Sequence, residues 1–372
     1  MGGFDLRIAI LTSSRADYSN YLPLLRKLKV DTFFEIKIIA FGTHLSSMHG
    51  NTIDSIYSDG FEVACKFETL PECDDAECIS RSIGKTIEIF SSFWAKEKNY
   101  LDLIICIGDR YEMFAAVAAT IPFNIRVAHL YGGDTTLGAI DDVFRHSITS
   151  ISSYHFTSLK NSAKRVAQIK GSSDNVYVVG SLSLDNLNEI NLLTKEQFKE
   201  QFHIDLMSPV LVTFHPETVA YKKNEEYVNE LIAALETLDR QIIITMPNAD
   251  TMGQVIREAL KNFAKHKKNV FIVESLGTVG YFSCINLCDF MIGNSSSGIV
   301  ETASFGKYVI DLGSRQLGRT AGTNVIHCEI EKNKILDAIK RIAGLPKYGN
   351  KNIYGDGKTA DRIISVLKTI RV

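Results

Sequence analysis

The stretch LDLIICIGDRYEM, residues 101–113, carries the pattern that decides the fold of this chain. Its apolar core, LIICI, would present hydrophobic side chains on both faces of a strand, and a glycine and two charged residues follow it. A strand that is apolar on both faces is typical of a parallel sheet covered by helices on each side. The stretch therefore predicts a buried parallel strand with polar groups at its carboxyl end.

Similar runs recur along the whole chain, separated by segments with the spacing of amphipathic helices. They occupy residues 6–12, 35–42, 125–132, 154–158, 209–216, 240–247, 269–274, 288–294 and 307–313. This alternation predicts a doubly wound α/β fold. Most of the runs end in glycine, serine, asparagine or charged residues, which is where ligands bind in open α/β sheets.

The length of the chain predicts two domains, because 372 residues exceed what one hydrophobic core usually holds. The strand series pauses in a polar stretch at residues 186–205. We therefore expect a Rossmann-like domain at 1–187 and a second one at 188–357. A last helix, at 358–372, is expected to pack back on the first domain.

Composition excludes several classes of protein. Hydrophobic residues make up 45% of the chain and charged residues 23%, as in folded globular proteins. A net charge of -2 provides no general field for nucleic acid, and no apolar run approaches the length of a membrane span. We expect no nucleic-acid or membrane partner and a cytoplasmic location. The seven cysteines form no CxxC pair and are expected to be reduced.

Residues 288–306, CDFMIGNSSSGIVETASFG, run from a predicted strand through a serine-rich turn into a helix. Backbone N–H groups at such a turn, together with Ser295 and Ser296, would suit a diphosphate. Glu301 would accept hydrogen bonds from ribose hydroxyls. The alternative is that Asn294 and the serines only cap the helix.

Three further strand ends in the second half present polar groups. His215 and Asn248 lie at the ends of the runs at 209–216 and 240–247. Arg315 and Arg319 follow the run at 307–313. Guanidinium groups can bind phosphate in a bidentate way. The alternatives are a structural histidine and surface arginines.

In the first half, residues 10–25, ILTSSRADYSNYLPLL, pass from a strand into a helix without the glycines of a dinucleotide-binding turn. NAD and FAD are therefore disfavoured. Asp109, directly after the strand of residues 101–107, is expected to be functional because the sheet does not need an acid there.

Residues 129–148, HLYGGDTTLGAIDDVFRHSI, combine a glycine turn with a helix start. Helical spacing of the apolar residues predicts a buried face and a polar arc. The buried face would contain Ile140, Val143, Phe144 and Ile148, and the polar arc Asp141, Asp142, Arg145 and His146. Surface ion pairs at i,i+4 are the simplest explanation of that arc. They leave His129 and Asp134, upstream in the same stretch, without an explanation.

Together, RADYS, GDRYE, the stretch at 129–148, FHPE, PNAD, GNSSSGIVE and LGSRQLGR occur in the order seen in hydrolysing UDP-N-acetylglucosamine 2-epimerases, including enzymes of sialic-acid and legionaminic-acid biosynthesis. The chain resembles this family over nearly its whole length. The resemblance implies a GT-B-like fold of two Rossmann-type domains with parallel sheets and an active site between them. It also implies a homodimer or homotetramer.

The resemblance implies conversion of UDP-GlcNAc and water to UDP and N-acetylmannosamine through a 2-acetamidoglucal, without a metal or redox cofactor. Asp109 and Asp141 are the acid/base candidates that it implies, with His129 and Arg145 orienting the sugar or the carboxylates. The implied UDP-binding residues are Arg15, Ser19, Arg110, His215, Asn248, Ser295, Ser296, Glu301 and Arg315.

One departure from the family pattern concerns Tyr131, which stands where the sialic-acid branch usually has a glutamate. A phenol with an ordinary pKa near 10 cannot act as a base at neutral pH, although it can donate a proton. Either Asp134 supplies the missing acid, or the pocket suits another sugar, such as a UDP-linked 2,4-diacetamido-2,4,6-trideoxyhexose.

Three other functions remain open at this point. A non-hydrolysing epimerase would release a UDP-linked product, and a GT-B glycosyltransferase would need an acceptor. A nucleotide-sugar-binding protein would show no turnover. The presence of Asp109 and Asp141 favours an enzyme.

Overall fold

The computed structural model describes residues 5–47, 50–70, 73, 75–247, 252–349 and 351–371. The chain forms two compact units. The first contains residues 1–134, 141–189 and 354–372, and the second contains residues 135–140 and 190–353. Each unit is an α/β structure built on a parallel sheet, so the predicted fold class is confirmed.

The first unit contains a parallel sheet with seven strands in the described residues, in the order β3-β2-β1-β4-β5-β6-β7. The strands are β1 (Leu6–Thr12), β2 (Phe34–Phe41), β3 (Val63–Phe67), β4 (Leu103–Ile107), β5 (Val127–Leu130), β6 (Tyr154–Thr157) and β7 (Val176–Val178). The order reverses between β1 and β4, and ligands bind beside such a reversal in doubly wound folds.

Helices cover both faces of this sheet. They are α1 (Arg15–Val30), α2 (Ile53–Ser58), α3 (Ala76–Glu97), α4 (Tyr111–Ala118), α5 (Asp141–Ile151), α6 (Lys160–Lys170) and α7 (Leu182–Glu189). Successive residues of β1 enter different cores: Ile8 and Ile10 join the cluster that includes α1, whereas Ala9 and Leu11 join the cluster that includes α3 and α4. The apolar runs of the sequence are continuous because both faces of the strands are buried.

The second unit repeats this plan with six parallel strands among its described residues, in the order β10-β9-β8-β11-β12-β13. The strands are β8 (Val210–Thr213), β9 (Ile242–Thr245), β10 (Val270–Val273), β11 (Phe290–Gly293), β12 (Tyr308–Leu312) and β13 (Val325–Cys328). Its helices are α8 (Lys195–Phe202), α9 (Asn224–Leu235), α10 (Gly253–Lys265), α11 (Gly277–Leu287), α12 (Ser296–Val300) and α13 (Lys332–Ala343). The strand order is again that of a Rossmann fold.

The final helix, α14 (Thr359–Leu367), packs in the first unit against α1 and α7. Its residues Ile363 and Leu367 are buried in the same core as β1. The carboxylate of Asp185 accepts hydrogen bonds from the N–H groups of Thr359 and Ala360, at 2.9 and 2.6 Å. An acid at this position satisfies two N–H groups that have no partner within the helix and complements its dipole.

The unit boundaries differ from the sequence expectation at residues 135–140. Sequence analysis assigned this segment to the first domain, but it groups with the second unit. The N–H of Leu137 donates to the carbonyl of Leu317 at 2.9 Å, and the N–H of Ile140 donates to the Thr218 hydroxyl at 2.8 Å. These contacts join residues that are far apart in the chain, so no pattern within residues 135–140 predicts them. The first unit also extends to Glu189 and resumes at Tyr354.

The expectation that all cysteines are reduced is wrong for one pair. Cys73 and Cys78 form a disulfide with their Cα atoms 5.7 Å apart, and Cys78 lies in the first turn of α3. This separation lies within the range that a disulfide spans. Cys106, Cys284 and Cys288 are buried thiols, as expected. No helix in the described part of the chain has both the length and the apolar surface needed to cross a membrane.

Candidate active site

Two acids and an arginine come together in the first unit: Asp109 follows β4, and Asp142 and Arg145 lie on α5. The Arg145 guanidinium forms an ion pair with Asp109 and a second one, at 3.0 Å, with Asp142. It also donates to the backbone carbonyl of Asp134 at 3.1 Å. The side chain of Asp109 is 29% exposed, so its carboxylate remains accessible while Arg145 orients it.

The burial of Arg145 overturns part of the helical pattern read from the sequence. Its side chain is only 1% exposed, although the pattern placed it on the polar arc of α5. Conversely, Val143 is 65% exposed and Ile140 is 49% exposed, although both were expected to be buried. Ile148 is buried as expected. The buried face of α5 is thus rotated towards Arg145, whose charge is compensated by Asp109 after β4 and by Asp142 on the helix itself.

His129, on β5, is fully buried beneath this group. Its Nε2 donates to the carbonyl of Gly108 at 2.8 Å, and the Thr149 hydroxyl donates to Nδ1 at 3.1 Å. Burial lowers the pKa of His129 to about 4, so the ring is neutral at pH 7. Because both nitrogens bind protein groups, the ring holds the Gly108 turn that carries Asp109.

Tyr131 and Asp134 are both held by hydrogen bonds. The N–H of Leu182 donates to the Tyr131 hydroxyl at 2.8 Å, and that hydroxyl donates to Asn20 at 3.2 Å. The hydroxyls of Ser158 and Ser162 both donate to Asp134, the latter at 2.6 Å. The Tyr131 phenol is therefore anchored towards α1 and α7, whereas Asp134 is anchored towards α6.

The start of α1 carries another buried acid, which sequence analysis did not single out. The Asp17 carboxylate accepts hydrogen bonds from the N–H and hydroxyl of Ser13, at 2.8 and 2.7 Å. Burial raises the pKa of Asp17 to about 6, against the opposing effect of these hydrogen bonds and of Arg110. Arg110 itself pairs with the buried Glu112 at 3.1 Å.

Of the remaining predicted residues of the first unit, Asp141 is the first residue of α5 and two others lie on α1. Arg15 is its first residue and is exposed. Ser19 lies one turn further on, where its hydroxyl donates to the carbonyl of Ala16 at 3.2 Å.

Three buried histidines predict a loss of stability in acid. Burial lowers the pKa values of His44 and His129 to about 4 and that of His155 to about 3. Since the unfolded histidines titrate near 6.5, the unfolded chain binds more protons than the native chain between about pH 6.5 and 4. Each histidine therefore lowers the free energy of unfolding by up to about 3 kcal/mol over that range. Asp17, whose pKa is raised, opposes this trend between about pH 6 and 4.

We expect urea unfolding to show a falling free energy of unfolding from pH 7 to 4.5. His155→Leu removes one of these titrations at a residue that is not itself predicted to act on the substrate, although it lies beside His129 on the neighbouring strand, and it should flatten the dependence. A free energy of unfolding that stays constant or rises as the pH falls would contradict the prediction.

In the second unit, Asn294 joins the ends of three strands. Its Oδ1 accepts from the N–H of His215 at 2.7 Å, and its Nδ2 donates to the His215 carbonyl at 2.8 Å. The carbonyl of Asn294 accepts from the side chain of Gln316 at 2.9 Å. Asn294 is fully buried, so it holds the loops after β8, β11 and β12 together.

The serine-rich turn follows Asn294 directly. Ser295 caps α12, and its hydroxyl accepts from the Ser297 hydroxyl at 3.0 Å. The capping role expected as an alternative is thus present, while Ser296 is exposed beside it. Glu301 ends α12 and is 8% exposed.

The other predicted residues of the second unit are only partly described. Arg315 and Arg319 lie on the loop after β12, which Gln316 ties to Asn294. Asn248, predicted for UDP binding, lies outside the described residues.

Sequence reasoning missed several buried polar residues that support these loops. Besides Asp17, they include Tyr281, whose hydroxyl pairs with that of Ser297, and Glu217, which is 1% exposed. Asn294 was considered only as a helix cap, and its role in joining the loops was not predicted. A glutamate directly after the His-Pro of FHPE was the available signal for Glu217. Tyr281 lies in a helix without polar periodicity, so nothing local pointed to it.

Potential metal ligands come together once among the described residues, at Cys73, Asp75 and Cys78. The two cysteines are joined in the disulfide, so neither sulfur is a thiolate ligand. This group lies at the start of α3, apart from the residues discussed above.

Comparisons with known proteins extend over almost the whole chain. A UDP-N,N'-diacetylbacillosamine 2-epimerase (hydrolyzing) from Legionella pneumophila is 32% identical over 98% of this chain and 96% of the relative. A GDP/UDP-N,N'-diacetylbacillosamine 2-epimerase (hydrolyzing) from Campylobacter jejuni is 34% identical over 87% of this chain and 84% of the relative.

Among solved structures, UDP-GlcNAc 2-epimerase from Neisseria meningitidis bound to UDP-GlcNAc has a TM-score of 0.81 at 16% identity, over 98% of this chain and all of that chain. This likeness shows the shared GT-B-like fold. The family model described as UDP-N-acetylglucosamine 2-epimerase matches residues 26–368. The chain therefore belongs to the UDP-N-acetylglucosamine 2-epimerase family.

Proposed function

We propose that this chain is a hydrolysing 2-epimerase that converts a UDP-linked 2-acetamido sugar and water to UDP and the free C2 epimer. The observation that carries the proposal is the buried Arg145, which holds Asp109 at the end of β4 next to the helix that begins at Asp141. The hydrolysing relatives from Legionella and Campylobacter support it.

In the proposed reaction, a carboxylate removes the C2 proton while the C1–O bond breaks and UDP leaves. The product of this elimination has a double bond between C1 and C2. Water then adds its oxygen to C1, and C2 receives a proton on the opposite face, which completes the epimerisation. Asp109 and Asp141 are the proposed acid/base pair, because proton transfer at C2 requires positioned groups in both steps.

The second unit is proposed to bind UDP through the loops that Asn294 holds together. His215, Ser295, Ser296 and Arg315 would contact the diphosphate, and Glu301 would contact the ribose. Helix-end N–H groups and a guanidinium stabilise the charge that develops on a departing diphosphate. Arg15, Ser19 and Arg110 of the first unit are proposed to contribute further contacts with UDP.

For the sugar we propose a 2,4-diacetamido-2,4,6-trideoxyhexose, with GlcNAc as the second candidate. The first choice is supported by the names of the two hydrolysing relatives, and the second by the name of the family. Tyr131, in place of an acid, gives this position a neutral hydrogen-bonding group. We also propose a cytoplasmic homodimer or homotetramer, whose size light scattering would measure.

Incubation of the protein with each UDP-sugar separately, followed by NMR, tests the proposal. We expect free UDP and a free 2-epimer without any added acceptor, and a faster reaction with the diacetamido substrate. In deuterated water the product should carry deuterium at C2, because the proton lost there is replaced from solvent. A UDP-linked product would instead indicate a non-hydrolysing epimerase, and binding without turnover a nucleotide-sugar-binding protein.

A further inference from the structure

The acid Glu217 is buried in the second unit, where it contacts the turn that leads to Arg315. Its carboxylate accepts a hydrogen bond from the N–H of Ser314 at 2.6 Å and another from the Ser314 hydroxyl at 2.9 Å. The side chain thus binds both hydrogen-bond donors of Ser314, the residue that immediately precedes Arg315. Hydrogen bonds to an ionised carboxylate are stronger than those between neutral groups.

The backbone of Glu217 is fixed as firmly as its side chain. Its N–H donates to the amide oxygen of Asn224 at 2.9 Å, and the amide nitrogen of Asn224 donates to its carbonyl at 3.0 Å. Asn224 begins α9 and is fully buried. The carboxylate is therefore anchored to a helix rather than to a mobile loop.

The turn at Gly313, which precedes Ser314, leaves room for the Glu217 carboxylate. Gly313 has a φ of +73°, and a Cβ at this position would lie 2.3 Å from the Glu217 Oε1. Only glycine adopts this conformation readily and leaves room for the carboxylate. The close contact between Glu217 and this turn therefore depends on two features: the anchoring of Glu217 by Asn224, and a glycine at position 313.

Residues 135–140 pack on the same pair of loops. A Cβ on Gly138 would lie 2.6 Å from the Arg315 nitrogen, so this glycine allows the two backbones to touch. The hydroxyl of Thr218, next to Glu217, accepts the N–H of Ile140, and Ile140 is followed in the chain by Asp141. One short segment, Glu217-Thr218, thus fixes the residue before Arg315 and the residue before Asp141.

We infer that Glu217 is a positioning residue for the diphosphate of the substrate, acting through Ser314 on Arg315. This inference rests on the proposed function. Glu217 does not itself contact UDP in this role, because its carboxylate is occupied by Ser314. It fixes the backbone that leads into Arg315 through its hydrogen bonds to Ser314. Thr218 likewise fixes the end of segment 135–140 through its hydrogen bond to Ile140.

The test compares UDP affinity, measured by calorimetry, with kcat and KM for wild type, Glu217→Ala, Glu217→Gln, Ser314→Ala and the Glu217→Ala/Ser314→Ala double variant. We expect Glu217→Ala to weaken UDP binding by about ten- to thirtyfold and to raise KM in parallel, since hydrogen bonds to a charged group are lost. Glu217→Gln, which can still accept the Ser314 N–H, should stay within about threefold of wild type. Because Glu217 acts through Ser314, the double variant should bind UDP no more weakly than Glu217→Ala.

Glu230→Ala is the matched control. Glu230, on α9, also accepts a backbone N–H, from Lys332 at the start of α13, at 2.7 Å. Neither residue is a proposed UDP contact or hydrogen-bonds to Ser314, so UDP affinity should not change. A merely structural role for Glu217 would lower the folded fraction and leave the Kd of the remaining active protein unaltered.

An unchanged Kd in folded Glu217→Ala, or an additive double variant, overturns the inference. If Glu217→Ala does not fold, Ser314→Ala decides instead, and a UDP affinity equal to wild type overturns it. A wild-type protein that neither binds UDP nor releases it from a sugar nucleotide shows that the proposed function fails, which the variants do not test.

Discussion

Asp141→Asn is expected to lower kcat by 10²- to 10⁴-fold while the protein remains folded. Proton transfer by a positioned carboxylate accounts for a rate factor of this size, and an amide cannot take up the C2 proton. Asparagine preserves the shape of the side chain, so UDP affinity should stay close to that of wild type. The rate of UDP release from the sugar nucleotide measures kcat, and calorimetry measures UDP affinity.

The substitution also removes a negative charge from the first turn of α5, which a control must separate from catalysis. Glu225→Gln does the same in the first turn of α9, where it should cost about 0.3 to 1 kcal/mol of stability without affecting kcat. Full activity of Asp141→Asn would remove Asp141 from the reaction and leave Asp109 as the remaining acid/base candidate.

Arg145→Met is expected to cause the largest loss of stability, about 3 to 5 kcal/mol. The methionine fills part of the volume, but it leaves Asp109 and Asp142 without the buried cation that they share. The carboxylates after β4 and on α5 then lose the cation that compensated both charges. Urea unfolding at pH 7 measures the effect, and turnover should be lost because Asp109 is no longer oriented.

Arg81→Met provides the contrasting case. Arg81 pairs with Glu77 on the exposed face of α3, and its loss should change the free energy of unfolding by about 0.5 kcal/mol or less. Adding Asp142→Asn to Arg145→Met should recover part of the lost stability, because it removes one uncompensated charge. A destabilisation by Arg145→Met no greater than that of Arg81→Met would show that burial of the ion pair is unimportant.

The central strands of both sheets could be predicted from the sequence because their signal is local, whereas the edge strands β3 and β13 were not among the predicted runs. In LIICI every residue is apolar, and in the structure both faces of β4 are covered. The identity of most candidate residues also followed from local rules, since parallel strands place their carboxyl ends at one edge of each sheet. The position of Asp109 after β4 and that of Ser295 after β11 are examples.

The surroundings of those residues depended on contacts between distant parts of the chain. Helical periodicity placed Arg145 on the solvent side, but Asp109 and the backbone carbonyl of Asp134 bind its guanidinium together with Asp142. Asp109 and Asp134 lie outside α5, so no pattern within the helix records them. Residues 135–140 likewise belong to the second unit because they hydrogen-bond to Leu317 and Thr218, although their neighbours in the chain belong to the first unit.

Sequence by itself determined which segments form the central strands and which of their ends carry polar groups, because burial on both faces leaves a continuous apolar run. Only the tertiary structure decided which of those polar groups is buried, which is paired and which supports another. The pairing of Glu217 with Ser314 shows the physical reason: a buried charge is stable only where donors from elsewhere in the chain reach it.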